Sequence, residues 1–331
     1  MNERKPIIGI TVGDPAGIGP EIVIKAVSDY AIADVCRPVL IGDRRNLEWT
    51  NGELGLSATF VESGSEVSGT IEVIDQANLD DVVEFGVESP ATGRSAANNI
   101  EAAVKLWRDG KIDAIATAPI SKNALKLAGY DFPGHTEFLA ALTDTKEFAM
   151  SFFAERLRVV LLSTHVSLRS AIELVTTESL VKLIEFADRT LPAFIGKQPK
   201  IAVAGINPHA SEGGMFGDEE ATRIEPAIDR CRAKGIDISG PYSPDTIFLR
   251  GYRGEFDLVV ACYHDQATIA VKSLSFGASV NVTLGLPLIR TSVDHGTAFD
   301  IAGRNIADAS SMKAAIRLAA ELVKARTNRE G

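Results

Sequence analysis

Three stretches run through apolar residues and stop at a histidine: RVVLLSTH ends at His165, KIAVAGINPH at His209 and DLVVACYH at His264. Each run has the continuous apolar character of a strand covered on both faces. Each therefore delivers an imidazole just past the carboxyl end of a buried strand, the edge at which open α/β sheets bind ligands. With 5 histidines in 331 residues, three such placements point to a common purpose. A neutral imidazole offers one lone pair to a divalent cation, and three of them leave coordination positions open for a substrate. The three are too far apart in sequence for a helical HExxH site, so any convergence is tertiary. The competing reading is three loop histidines, each serving its own turn. Asp265 follows His264, and Asp245 lies in SPDTIF. A carboxylate at either place can take a proton from a metal-bound alcohol or orient an imidazole N–H. The plainer role for both is a turn or a cap.

A second set of residues suits an anion. GHTEFLAAL (134–142) reads as a turn entering a helix, with the backbone N–H groups of Gly134, His135 and Thr136 and the Thr136 hydroxyl at its N-terminus. That is a seat for phosphate or carboxylate, against the alternative of a capping box around Thr136. In the segment 271–303, Lys272, Asn281 and Arg290 are isolated polar groups in apolar surroundings. A cation so placed calls for an anionic partner, either an internal carboxylate or a substrate phosphate. The loop GDPAGIGPEI (13–22) has glycines at 13, 17 and 19, which is not the GxGxxG spacing, so a standard Rossmann site is not supported. The loop still lets backbone approach a ligand closely, with Asp14 placed to contribute.

The elements that must position these groups alternate along the chain. Apolar runs at 6–12, 38–42, 70–74, 113–118, 158–164, 200–206 and 257–262 are separated by stretches of helical period. Ile100, Ala103, Val104 and Trp107 share one helix face; Leu180, Leu183, Ile184 and Ala187 share another. Met312, Ala315, Ile316, Ala319, Leu322 and Val323 line a last helix, with Ser310 or Ser311 as its expected cap. Repeated strand–helix units predict an α/β fold with helices on both sheet faces. The length suits about two domains at roughly 150 residues each. A net charge of -10 argues against nonspecific nucleic-acid binding. Three scattered cysteines, with no CxxC pair, fit a reducing cytoplasm. The apolar run after the N-terminus is too short for a signal h-region or a membrane span, so neither a membrane nor nucleic acid is an expected partner.

Taken together, GDPAGIGPEI, TAPISK, GHTEFLA, STHVSLR, GINPHASEGG, SPDTIF, YHDQ and NVTLGLPLIRTSVDHGTAFDIAG resemble, in order and over most of the chain, the 4-hydroxythreonine-4-phosphate dehydrogenase family of pyridoxal-phosphate biosynthesis. The resemblance implies two α/β/α domains around a central cleft, like isopropylmalate dehydrogenase, with residues 1–130 and 290–331 in one domain and 131–289 in the other. It implies NAD-dependent oxidation of the secondary alcohol of a phosphorylated hydroxy acid, followed by loss of carbon dioxide from the 3-keto acid. Metal ligands would fall on His165, His209 and His264. Substrate contacts would fall on His135, Thr136, Lys272, Asn281 and Arg290. The family is homodimeric with sites built from both subunits, so the metal triad is open to completion across the interface. HGTAFDIAG (295–303) further resembles the adenosine loop of isopropylmalate and isocitrate dehydrogenases. Carried over, Gly296, Thr297 and Ala298 lie along the adenine, and Asp300 accepts from ribose hydroxyls, favouring NAD over NADP. Histidine in place of those relatives' aspartates softens the ligand set toward zinc, cobalt or manganese, with magnesium the harder alternative.

Two stretches depart from the biosynthetic members: Ala267-Thr268-Ile269 after YHDQ, and Ala210-Ser211 after His209. The family also contains catabolic enzymes acting on D-threonate or D-erythronate 4-phosphate, and relatives that oxidise the cis-diol of a terephthalate ring. For the reaction itself, Lys272 with Asp245 or Asp265 is the expected proton-handling group. The rival classes are a three-histidine metallohydrolase, which needs no nucleotide, and a two-domain solute-binding module.

Overall fold

The computed structural model describes residues 4–65, 67–275 and 279–330; Phe276, Gly277 and Ala278 of the segment 271–303 lie outside the described residues. The strands, in chain order, are β1 (Ile7–Thr11), β2 (Arg37–Gly42), β3 (Phe60–Glu62), β4 (Ile71–Asp75), β5 (Ala114–Thr117), β6 (Ala149–Ala154), β7 (Leu157–Leu161), β8 (Ile201–Ala204), β9 (Ile238–Tyr242), β10 (Leu258–Ala261), β11 (Val280–Leu284) and β12 (Ile289–Ser292). Two compact units divide them: Met1–Lys146 with Leu286–Lys324, and Glu147–Gly285 with Ala325–Gly331. Both are of the α/β class.

In the first unit the strands lie in the order β3-β4-β2-β1-β5-β12, and every neighbouring pair is parallel. The order reverses between β1 and β5, the kind of switch point at which α/β sheets open a crevice at their carboxyl ends. The loops leaving these two strands touch there: the Asp14 N–H donates to the Pro119 carbonyl at 2.8 Å. Gly13 makes this approach possible. Its φ is +75°, and a Cβ would sit 2.2 Å from the Pro119 oxygen. The helix Pro90–Arg108 starts on a Ser89–Thr92 capping box with Pro90 in the first turn. Its Ile100, Ala103 and Val104 are buried against the sheet, as the helical period predicts. The isoleucine and valine each contribute about 1.5–3 kcal/mol of burial.

In the second unit the order is β11-β6-β7-β10-β8-β9. Strands β7, β10, β8 and β9 are parallel, whereas β6 is antiparallel to both β7 and β11. Seven parallel strands are predicted from the apolar runs; β3, β6, β9, β11 and β12 are additional. The reason is local. β6 and β7 are separated only by Glu155 and Arg156, with Glu155 at φ 52°, and so short a link permits only an antiparallel pair. β9 has one buried residue and four half-buried ones, so it lacks a continuous apolar run. The core of this unit gathers Val159, Ala261, Ile247, Phe248, Ala267 and Val271.

The final helix, Ser310–Glu330, buries Met312, Ala315, Ile316, Ala319 and Leu322. Its start corrects the expected cap. Asp308, not Ser310 or Ser311, accepts the Ser310 N–H at 2.9 Å and the Ser310 hydroxyl at 2.7 Å. Asp308 stands one residue before the N-cap position, which is Ala309, and from there bonds the first helical N–H, while Ser310 and Ser311 lie inside the first turn. Among the described residues no helix is long and apolar enough to cross a membrane.

Candidate active site

Parallel pairing of β7 with β10, and of β10 with β8, brings the carboxyl ends of three strands to one edge of the second unit. His165, His264 and His209 follow those ends. The rings of His165 and His264 come within 5.7 Å, centroid to centroid. They line an open depression of about 210 Å³ together with Thr164, Val166, Tyr263 and Asp265. His264 opens the helix His264–Ser275, and its Nδ1 lies 2.7 Å from Asp265 Oδ1. A carboxylate on Nδ1 fixes the tautomer that turns the Nε2 lone pair outward, the arrangement found around metal-binding imidazoles. Asp265 thus orients an imidazole.

His209 sits on a different kind of turn. His209, Ala210, Ser211 and Glu212 all have positive φ, at 52°, 52°, 64° and 45°. The His209 ring packs 6.4 Å from that of Phe216. Asp245, in the first turn of the helix Pro244–Tyr252, takes a hydrogen bond from the Ser243 hydroxyl. That bond, chiefly, holds the Asp245 carboxyl below its ordinary pKa, so it is ionised at neutral pH. Among the described residues of one chain, no group of three or more His, Cys, Asp or Glu side chains could hold a metal ion. One chain therefore brings His165 and His264 together, and His209 does not complete a three-ligand group with them. An imidazole pair with an orienting carboxylate fits the nitrogen-donor half of a divalent-metal site. Lys272 is exposed in the last turn of the same helix as His264. At 1.5 Å per residue it stands roughly 12 Å along the axis from that histidine. Asn281, on β11, has a buried Oδ1 with no hydrogen-bond partner among the described residues.

The first unit holds the anion-binding candidates. Arg290 on β12 is 3% exposed and donates from Nε and Nη2 to Thr117 Oγ1, at 3.2 and 2.9 Å. Burial lowers its pKa to about 10, against the opposing pull of Glu137, so the guanidinium stays charged at neutral pH. His135 opens the helix His135–Leu142. The N-cap is Gly134, which has no side chain to cap with, so the capping box around Thr136 is not formed. His135 Nε2 is buried and unpartnered among the described residues. Burial, and then the charge of Arg290, push its pKa well below the ordinary 6.5, so the ring is neutral. Lys122 also borders this helix start: a Cβ on Gly134 would lie 3.9 Å from Lys122 Cε. A charged guanidinium and a ring nitrogen with no partner among the described residues, beside a helix N-terminus, form a seat for a phosphate or carboxylate.

Two loops singled out separately in the sequence meet in this unit. The Ile18 N–H donates to the Thr297 carbonyl at 3.0 Å. A Cβ on Gly17 would lie 2.9 Å from that same oxygen, so this glycine is required by close backbone approach. Ala298 is held at φ 44°, and Gly296 and Asp300 are exposed. Asp14 is fully buried; its Oδ1 accepts the Ala16 N–H at 3.0 Å. Burial pushes the Asp14 carboxyl up to about 6, and the charge of Glu88 pushes the same way.

Residues 34–319 match the family described as pyridoxal phosphate biosynthetic protein PdxA. The chain belongs to the PdxA family. It is 47% identical to a D-threonate 4-phosphate dehydrogenase of Cupriavidus necator over 98% of this chain and 100% of that protein. It is 45% identical to a 4-hydroxythreonine-4-phosphate dehydrogenase of Desulforapulum autotrophicum, over 97% of this chain and 96% of that one. The crystal structure of 4-hydroxythreonine-4-phosphate dehydrogenase from Klebsiella pneumoniae superposes with a TM-score of 0.88 at 42% identity, covering 96% of this chain and 100% of that one.

Within this PdxA-family chain, several supporting residues escape a sequence reading. Thr117 holds Arg290, and Glu88 accepts from the Ser121 hydroxyl and, at 2.7 Å, from Asn123 Nδ2. Gln266 accepts the Cys262 N–H and donates to the Gly205 carbonyl, both at 2.7 Å. Lys122 and Gln266 stand inside the TAPISK and YHDQ motifs, which is the signal that marks them. Glu88 carries no such mark, because a half-buried glutamate reads in sequence like any surface one.

Proposed function

We propose that this protein is a metal- and NAD-dependent dehydrogenase that oxidises the secondary alcohol of a phosphorylated hydroxy acid, 4-phosphooxy-threonine, with decarboxylation of the 3-keto product. The observation that carries this reading is the seat made by charged, buried Arg290 and neutral His135 with its unpartnered Nε2. It suits a phosphate, and relatives along the whole chain are named for 4-phosphate substrates. Arg290, His135 and Thr136 grip the phosphate and thereby fix the reacting carbon, with Thr117 holding the guanidinium in place. Asn281 offers its unpaired oxygen to a substrate donor.

His165 and His264 would hold a divalent cation, zinc, cobalt, manganese or magnesium, with His209 of a second copy of the chain completing the set. When bound, such a cation polarises the substrate hydroxyl and lowers its pKa. Exposed apolar residues support the homodimer: Val166 and Leu168 beside His165, Met215 and Phe216 beside His209, and Ile269 on the helix that His264 opens. Asp265 keeps the His264 ring in place, while ionised Asp245 and exposed Lys272 take and return the hydroxyl proton. NAD, when bound, would supply the hydride acceptor for the alcohol carbon, and the 3-keto acid so formed would lose its carboxylate as carbon dioxide. Gly296, Thr297 and Ala298 would line the adenosine, Asp14 the loop opposite, and Asp300 would select NAD by its ribose hydroxyls. Buried free Cys36, Cys231 and Cys262 suit a reducing cytoplasm.

A second reading, D-threonate 4-phosphate as substrate, is favoured by the 47% identity to the Cupriavidus enzyme. One assay separates them: NADH formation from 4-phosphooxy-threonine, D-threonate 4-phosphate, D-erythronate 4-phosphate and an aromatic cis-dihydrodiol, with metal restored after chelation. The expected result is turnover of the first. Turnover of the second alone transfers the proposal to it. No NADH from any of them, together with no heat on titration with NAD, would leave the three-histidine hydrolase as the better reading.

A further inference from the structure

We infer that Glu220 is a positioning residue whose buried carboxylate holds the turn that presents His209; the inference rests on the reading of His209 as a metal ligand. Four consecutive non-glycine residues, His209 to Glu212, lie in the left-handed region, at φ 52°, 52°, 64° and 45°. Each costs an L-residue about 1–2 kcal/mol, so the surroundings must over-determine the turn. Glu220 is the group that does this. It is 1% exposed and opens a π-helical turn, Glu220–Ile224, a local irregularity that recurs at functional sites. Its Oε1 accepts the backbone N–H groups of Ile206 and Asn207, at 2.7 and 2.8 Å. Its Oε2 accepts Asn207 Nδ2 at 2.9 Å, and the same Nδ2 donates to Glu219 Oε2 at 2.7 Å.

The carboxylate therefore holds both residues that lead into the Pro208–His209 step, and Asn207 by two separate arms. The turn then folds back over it. A Cβ on Gly205 would lie 2.9 Å from Ala210 Cβ and 3.1 Å from Glu220 Oε1, so glycine is needed to close the loop around the acid. Three donors satisfy the buried charge without the long flexible side chain of a cation. Such an acceptor sets where the Cα of His209 stands and which way its ring leaves the backbone. It touches neither substrate nor metal.

The test uses full-length protein stripped by chelation, with cobalt(II) as the probe: affinity by competition, ligand geometry by the visible d–d spectrum, and folding by thermal melts. Glu220→Ala is expected to weaken cobalt binding by about 10–100-fold and to alter the spectrum, as loss of an outer-shell partner does. Glu220→Gln, whose Oε1 can still accept both backbone N–H groups, should recover most of the affinity. His209→Ala should lose at least as much as Glu220→Ala. A folded Glu220→Ala protein with wild-type affinity and spectrum, beside a His209→Ala protein that has lost binding, overturns the positioning role alone. Wild-type affinity in His209→Ala overturns the ligand reading and this inference with it. Should Glu220→Ala fail to fold, Asn207→Ala takes its place. It removes the Oε2 arm and should weaken cobalt binding by about threefold, the worth of one hydrogen bond; a folded Asn207→Ala protein with wild-type affinity and spectrum overturns the role.

Discussion

Asp14→Asn should make the protein more stable and less active. Asp14 is fully buried at the switch point of the first unit, and its carboxyl is pushed from an ordinary 3.8 to about 6. Burial is the main cause, and Glu88 adds to it. A carboxyl with a raised folded-state pKa stabilises the fold only while protonated. Its contribution is fully present below pH 3.8, is lost as pH rises toward 6, and stays lost above that. At 1.36 kcal/mol per pH unit, the raised pKa costs about 3 kcal/mol at pH 8, and about half as much at pH 5, where the unfolded carboxyl ionises and the folded one stays largely protonated. Asparagine mimics the protonated form. Its Oδ1 keeps the acceptor for the Ala16 N–H, and its amide removes the repulsion from Glu88. A gain of about 3 kcal/mol corresponds to about 6–12 °C in Tm for a body of this size. Melts of wild type and variant at pH 5 and pH 8 are the assay. The gain should be about twice as large at pH 8 as at pH 5, while NAD-dependent turnover falls. Equal gains at both pH values, or none at pH 8, would refute the argument, because then the carboxyl is not forced to ionise in a buried place.

His209→Ala should lose bound metal and turnover with the fold intact, checked by metal analysis and melting; retained metal and rate refute its ligand role. Lys272→Ala should keep its metal but lose turnover, and an unchanged pH–rate profile would count against proton handling by that exposed amine. Gly17→Ala places a methyl group 2.9 Å from the Thr297 oxygen and should cost about 1–3 kcal/mol with weaker NAD binding, read by melting and nucleotide titration. His135 is held neutral by burial and by Arg290, so its unfolded form takes up a proton first as pH falls below 6.5. Stability should therefore drop below that pH, and His135→Asn should flatten this part of the acid limb in pH-dependent denaturation.

Much of this protein can be read along the chain. Apolar runs ending in His165, His209 and His264 declare buried strands with imidazoles at their carboxyl ends, and those placements hold. The helix starting at His135 follows from the glycine before it, and the faces around Ile100 and Ile184 follow from the helical period. The motifs alone suffice to recognise the family. Other features exist only in three dimensions. The order β7-β10-β8 decides that the His165 and His264 rings approach within 5.7 Å, while the turn pinned by Glu220 carries His209 separately. The contact between Gly17 and Thr297 joins segments almost a chain length apart. The burial that raises Asp14 and neutralises His135 comes from neighbours no local pattern names. The physical reason is range. Periodicity, caps and turns are set by residues a few positions away, and the sequence displays them directly. Strand order, by contrast, is chosen by the packing of whole units, and one buried strand carries the same apolar signature as the next.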